Sequence, residues 1–249
     1  MKISIITATY NSSATVRDTL QSIAAQQHLN IEHIIIDGLS KDNTLEIVKE
    51  FPHVAMVVSE KDKGIYDAMN KGLKVVSGDV VGILNSDDFY ASATVLEKIA
   101  AAFEDEKVEA VYGDLQYVKQ HDVNVIIRTW RAGNFRKKYF YYGWMPPHPA
   151  FFVRRSVYDK VGVFNISLRS AADYELMLRI MLKNDVTVHY IPEVLVKMRD
   201  GGMSNATLTN RLRANREDRE AWRLNGLRPY FFTTWLKPLR KIKQFFITR

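Results

Sequence analysis

The sequence predicts an α/β fold: a mostly parallel central sheet flanked by helices, then a mixed second half and a C-terminal helical extension. Strand-like apolar runs alternate with stretches of helical periodicity three times over residues 1–76, the grammar of β-α units with right-handed crossovers. A fourth run, residues 80–84, is short, β-branched and bounded by glycine and acids, as a buried central strand is. Beyond residue 205 the composition turns basic and aromatic.

The totals fit this class. A chain of 249 residues that is 47% hydrophobic can bury a large core, and disorder over most of it is excluded. It has no cysteine, hence no disulfide framework and no thiolate metal site. The start, MKISIITATYN, lacks the long apolar core of a secretory signal, and no stretch approaches the roughly 20 apolar residues of a spanning helix. A soluble or peripheral cytoplasmic protein is expected.

In order, residues 3–7 read as the first strand and Val16, Leu20, Ile23 and Ala24 recur as one helix face. The intervening turn, TATYN, contains no glycine, so a dinucleotide-type GxGxxG cradle is absent. Residues 34–36 form the second strand and end on Asp37, where an acid can accept from a nucleobase N–H or a ribose hydroxyl. Ser40 and Asp42 suit the cap of a helix carrying Leu45, Val48 and Phe51. Residues 54–58 form the third strand. The helix after it should bury Ile65, Met69, Leu73 and Val76, with Lys71 four residues after Asp67 on its solvated side and Asp62 in the preceding loop as a ligand candidate.

The fourth strand delivers Asp87 and Asp88 to its C-terminal end, the edge where ligands of open α/β sheets gather. Neighbouring carboxylates repel, so they suit water or a hard cation such as Mn2+ or Mg2+ bridging to a diphosphate; an Asp-Asp turn closing the strand explains them equally well. Right-handed crossovers open every loop on one edge. Thr7 to Tyr10, Asp37, Asp62 and Asp87/Asp88 should therefore converge.

The second half should hold a helix over 94–103 and strands at 108–112, 115–118, 123–129, 186–191 and 194–198. Arg128, Arg131, Arg136, Lys137 and Lys138 interleave with Trp130, Phe135, Tyr139 and Tyr141, a surface suited to sugar or phosphate or simply to solvent. Pro146, Pro147 and Pro149 should fix His148. The run SAADYELMLRIMLK reads as a largely buried helix with Asp173 and Glu175 in its first turn, where the helix N-terminus favours acids. DGGMS at 200–204 is a flexible turn or a cover for a bound nucleotide.

Residues 201–249 carry 11 Lys/Arg against 3 Asp/Glu, leaving 24 against 25 for the remainder. The basic charge is therefore confined to the tail. A basic helix over 211–224 leads to Phe231, Phe232, Trp235, Leu239, Ile242 and Phe246 among Lys237, Arg240, Lys241 and Lys243, with Pro238 as a kink. That pattern fits an interfacial segment, residues 229–249, against an anionic membrane surface, or packing onto protein. Nothing in the chain reads bases, so nucleic acid is not an expected partner.

ISIITATYN, IIIDGLSKDNT, KDKGIYDAMNKG and GDVVGILNSDD, in this order and spacing, resemble the family 2 nucleotide-sugar glycosyltransferases of GT-A fold, especially bacterial exopolysaccharide, capsule, lipopolysaccharide and colanic-acid enzymes. The resemblance covers residues 1–205 and implies a nucleotide-binding half, 1–90, and an acceptor-binding half, 91–205, followed by the extension 206–249. It implies that Thr7, Ala8, Thr9 and Tyr10 line the nucleobase pocket, that Asp37 accepts from the base, and that Asp62 and Lys71 border the nucleotide. It places Asp87 near ribose and phosphate, Asp88 on Mn2+ or Mg2+, and His148 at the acceptor. Asp173 would be the base of an inverting transfer from a nucleotide-sugar, UDP-sugar foremost, to a saccharide or lipid-linked saccharide. Glu175, on the acceptor side, is the alternative base. Two positions depart from the family pattern: Ser86 replaces the first acid of Asp-x-Asp, and Ala172 the first acid of the Glu/Asp-Asp pair. They leave open a nucleotide-sugar binding module without turnover.

Overall fold

A computed structural model describes residues 1–201 and 208–244. The chain opens with β1 (Ile3–Thr9), α1 (Val16–Ala24), β2 (Ile31–Asp37), α2 (Thr44–Lys49), β3 (Val54–Ser59), α3 (Ile65–Val75) and β4 (Val80–Ile83). These four strands pair in parallel in the order β3-β2-β1-β4, as the alternating grammar requires. Every residue of β1 and of β4 is buried, because helices cover both faces of the sheet centre. Gly72 lets α3 approach closely: a Cβ there would lie 2.5 Å from the Ile6 side chain. Ile65 departs from expectation. It sits exposed at the first position of α3, and Ala68, Met69 and Gly72 form the buried face.

Beyond β4 come β5 (Asp88–Tyr90), α4 (Val95–Ala102), β6 (Ala110–Val118), β7 (Ile126–Trp130), α5 (Lys137–Tyr141), β8 (Phe151–Arg154), α6 (Arg155–Val161), α7 (Ala172–Met177) and β9 (Val188–Arg199). The sheet continues from β4 through antiparallel β8 and β6 to parallel β9 and antiparallel β5, with β7 also on β6. Two pairs of expected strands are single strands. Residues 108–112 and 115–118 merge in β6, and 186–191 and 194–198 merge in β9, whose ladder skips Pro192 and Glu193 between Ile191↔Gly113 and Val194↔Asp114. A bulge thus absorbs the proline that cannot donate to the ladder. The acidic helix α7 continues as a π-helical turn, Leu178–Lys183.

The extension forms α8 (Leu208–Leu224) and α9 (Thr233–Lys243), with Pro238 inside α9. One face packs on the domain. Trp222 is fully buried, its Nε1 donating to the Tyr174 hydroxyl at 2.9 Å, and Lys237 sits 3.7 Å above the Tyr174 ring while pairing with Asp218 at 2.6 Å. Of the turn expected at 200–204, residues 202–204 lie outside the described residues, as does Phe246.

Candidate active site

The C-terminal ends of β1, β2 and β4 carry the first half of the site. Asp37 closes β2, and its carboxylate accepts from the Thr9 hydroxyl at 3.0 Å, the Ser40 N–H at 3.0 Å, the Ser40 hydroxyl at 2.5 Å and the Ser59 hydroxyl at 2.7 Å. Burial alone would raise its pKa, but these four donors together hold it below the ordinary carboxylate value. The loops after β1 and β2 are knitted together. Asn11 N–H donates to Ser40 Oγ at 2.9 Å, Lys41 N–H to Asn11 Oδ1 at 2.8 Å and Ser13 N–H to Asp42 at 3.0 Å, and Asn11 and Leu39 both hold left-handed backbone. Asp42 also accepts from Thr44 N–H at 3.1 Å, although Asn43, and neither Asp42 nor Ser40, occupies the N-cap of α2.

Tyr10, 61% exposed, and Asp62 close over Gly38, where an added Cβ would lie 2.5 Å from Asp62 Oδ2 and 3.3 Å from the Tyr10 ring. Asp62 accepts from Gly64 N–H at 2.8 Å through its other oxygen. Lys71 anchors the loop beneath: its ammonium donates to the Lys61 carbonyl at 2.7 Å and pairs with Glu60 at 2.9 Å. Ala8 is buried. Thr7 is fully buried with its hydroxyl on His33 Nε2 at 3.0 Å, so its side chain packs inside the sheet layer.

The acidic turn after β4 is braced on both sides. Thr19 of α1 donates to the Asp88 carbonyl at 2.7 Å, and buried Arg199 at the end of β9 donates to the Asp87 carbonyl at 2.8 Å while pairing with Asp18. Ser86, at the position of the missing acid, meets the Ser12 hydroxyl at 2.8 Å and ties this turn to the β1 loop. Asp88 is completely buried. Its Oδ2 accepts from Asn85 Nδ2 at 2.9 Å, whereas Asp88 Oδ1 and Asn85 Oδ1 are buried without a partner. Burial first, and the Asp87 charge second, push the Asp88 carboxyl well above its ordinary pKa; burial also raises Asp87.

Two unpartnered buried oxygens on groups that already touch are costly unless a proton or cation satisfies them. They are hard oxygen donors of the kind Mn2+ or Mg2+ takes, so the turn fits such an ion. Among the described residues no cluster of three His, Cys, Asp or Glu could complete a cage. Diphosphate oxygens and water would have to supply the remaining ligands, the usual arrangement for Mg2+.

The second half of the site comes from α7. Asp173 Oδ1 accepts from the Tyr66 hydroxyl at 3.2 Å and from Tyr174 N–H at 2.8 Å. Phe164 stacks on Tyr66 at 5.6 Å between centroids and meets His148 edge-on at 5.6 Å, so these four side chains form one cluster. Burial lowers the His148 pKa, and the Asp173 charge opposes that shift. Tyr117 of β6 stands in register with Asp88, both pairing with Met198 of β9. Burial raises its phenol pKa, and the charges of both Asp88 and Asp173 add to that rise against Arg128.

Glu175 is buried with one oxygen on Arg179 Nη2 at 2.7 Å and the other on Arg179 Nε and Asn225 Nδ2, both at 3.1 Å, so its carboxylate braces the helical layer. Reasoning from the sequence also missed Asn85, Tyr66 and Arg199. The signal for Asn85 was its place two residues before Asp87; Tyr66 and Arg199 carry none that sequence alone exposes.

The sequence profile of glycosyl transferase family 2 matches residues 4–162. A PGL/p-HBAD biosynthesis glycosyltransferase of Mycobacterium tuberculosis is 31% identical over 212 residues, covering 81% of this chain and 78% of the relative. The UDP-Glc:alpha-D-GlcNAc-diphosphoundecaprenol beta-1,3-glucosyltransferase WfaP of Escherichia coli is 29% identical over 185 residues, covering 73% and 70%. The crystal structure of S. aureus TarS 1-349 in complex with UDP-GlcNAc superposes with a TM-score of 0.70 at 20% identity; 90% of this chain matches, spanning 65% of the TarS chain.

Proposed function

The chain belongs to glycosyl transferase family 2, and from that membership we propose an inverting transfer of a sugar from a nucleoside diphosphate, UDP foremost, to a lipid-linked saccharide in bacterial surface polysaccharide assembly. The observation that carries this reading is the pair of unpartnered buried oxygens of Asp88 and Asn85, on a turn tied to the β1 loop through Ser86 and Ser12. Tyr10, Gly38 and Asp62 would receive the base, and the Asn85–Asp88 turn the diphosphate. The acceptor relative WfaP is named for, a saccharide on diphosphoundecaprenol, supports the acceptor class.

Asp173 takes the acceptor hydroxyl proton as that oxygen bonds to the anomeric carbon and the bond to the diphosphate oxygen breaks on the opposite face. The Tyr66 hydroxyl, its pKa raised chiefly by burial, stays protonated and orients the carboxylate from Oδ1. Asp88 with Asn85 or Asp87 would hold Mn2+ or Mg2+, which when bound would supply positive charge for the departing diphosphate. His148 and Phe164 wall the acceptor side. Replacing Asp173 with Asn is expected to lower transfer by about a hundredfold or more while leaving UDP affinity unchanged. Retained transfer refutes the assignment of the base.

The acceptor's lipid calls for a membrane surface. No helix among the described residues is long and apolar enough to cross a bilayer. The outer side of the extension, however, presents Phe231, 89% exposed, Trp235, 60%, and Leu239, 55%, beside Arg219 and Arg240. This is the composition of an interfacial anchor. Substituting all three with Ser should abolish sedimentation with phosphatidylglycerol vesicles; unchanged sedimentation contradicts docking through this face.

A further inference from the structure

A cleft of about 560 Å³ lies between the segment leading into α7 and the outer face of α8, lined by Ser167, Leu168, Arg169, Arg213, Arg216, Glu217 and Glu220. Arg213, Arg216 and Glu220 recur at helical spacing on one side of α8, opposite the Trp222 side that packs on the domain. Both acids are engaged. Glu217 Oε2 accepts from Arg169 N–H at 3.1 Å, Ser170 N–H at 2.7 Å and Ser170 Oγ at 2.8 Å, and Glu220 pairs with Arg223. The guanidinium groups of Arg169, Arg213 and Arg216 make no hydrogen bond or ion pair among the described residues, although Arg216 lies close enough to Glu220 to favour its charge. The lining sets three guanidinium groups against two carboxylates that are already engaged, so the forked donors of the arginines are available to an anion entering the cleft.

The position of the cleft decides which anion. Its wall, 167–170, runs directly into Asp173, and Glu217 pins that wall at Ser170. The donor diphosphate, in the reading above, belongs to the acidic turn after β4, and no residue of that turn lines this cleft. The arginine cleft therefore adjoins the Asp173 side of the site rather than the donor side. It is carried by the same α8 whose Arg219 lies 6.0 Å from the exposed Trp235 ring.

We infer that Arg169, Arg213 and Arg216 form a subsite for the diphosphate that joins the acceptor saccharide to its lipid. The inference rests on the proposed transfer to a lipid-linked saccharide. The subsite would select acceptors by their anionic linker and set the distance between lipid surface and reacting hydroxyl.

Titration calorimetry with farnesyl diphosphate and with farnesol tests it on the full chain. The wild type should prefer the diphosphate, and Arg213→Gln/Arg216→Gln should bind it about tenfold or more weakly, with UDP affinity in the presence of Mn2+ unchanged. Arg169→Gln should weaken the same ligand independently. These side chains are exposed, and retained UDP binding reports the fold. Diphosphate affinity within twofold of wild type in both variants overturns the inference. So does loss of phosphatidylglycerol vesicle binding with farnesyl diphosphate affinity intact, because the arginines would then serve phospholipid headgroups. Failure of Asp173→Asn to slow transfer would remove the proposed function while leaving this binding result standing.

Discussion

Single side chains at the mouth of the sheet are arranged for charge that the protein does not itself supply. Asp88 is the clearest case. Its folded pKa lies above the ordinary value near 4, so the folded state keeps a proton that the unfolded chain releases, and metal-free stability falls as pH rises above about 4. Asp88→Asn should therefore melt higher than wild type at pH 7.5 without metal, by about 2–4 °C for each kcal/mol relieved, and should lose the Mn2+-induced rise in melting temperature. Calorimetric scans with EDTA and with Mn2+ check both; a variant that melts lower and still responds to Mn2+ contradicts the role. His33 has the opposite sign. Burial and the neighbouring His53 hold its pKa down to about 3, so stability present above the unfolded value of about 6.5 is lost as pH falls toward 3. The His33 ring should show no NMR titration between pH 8 and 5, and a midpoint in that range would refute its burial as a neutral donor or acceptor to Thr7. At this scale the sequence was a partial guide. Residue type placed acids at strand ends, but only packing reveals that Thr7 faces His33, that Glu175 faces Arg179, and that Asn85 shares the turn with Asp88.

Elements were legible where the pattern was local. The units β1 to β4 alternate with amphipathic helices, and each strand lies where its β-branched run lies, because burial on both faces permits little else. The long strands β6 and β9 were not legible. Gly113 and Pro192 read as breaks, and only pairing across a bulge shows that the ladder resumes beyond them. The attachment of α8 was equally hidden: a helix rich in arginine looks detached until Trp222 is found fully buried against Tyr141 and Tyr174. Trp222→Ala removes one of the largest buried side chains, at a cost of about 3–5 kcal/mol, and should lower the melting temperature by roughly 10 °C. A change of less than about 2 °C would show that α8 is not part of the cooperative core. The same packing means that ending the chain near residue 205 would damage the fold, so surface substitutions test membrane docking more cleanly than truncation.

Across the whole molecule, the proposed nucleotide pocket at the ends of β1 and β2 and the acidic turn after β4 are joined through Ser12 and Ser86, while Asp173 and one wall of the arginine cleft belong to a single stretch of chain, residues 167–173. Parallel strands bring Asp37 and the turn after β4 to one edge, and β9 sets Tyr117 of β6 in register with Asp88 of β5 through Met198. The proposed function requires that the turn at Asn85–Asp88 and the carboxylate of Asp173 serve one substrate pocket. In a crystal structure with UDP and Mn2+, uracil should lie against Tyr10, Gly38 and Asp62, and the ion and diphosphate at Asp88, with Asp173 facing the terminal phosphate across open space for a sugar. Nucleotide bound elsewhere, or Asp173 walled off from the diphosphate by protein, would contradict it.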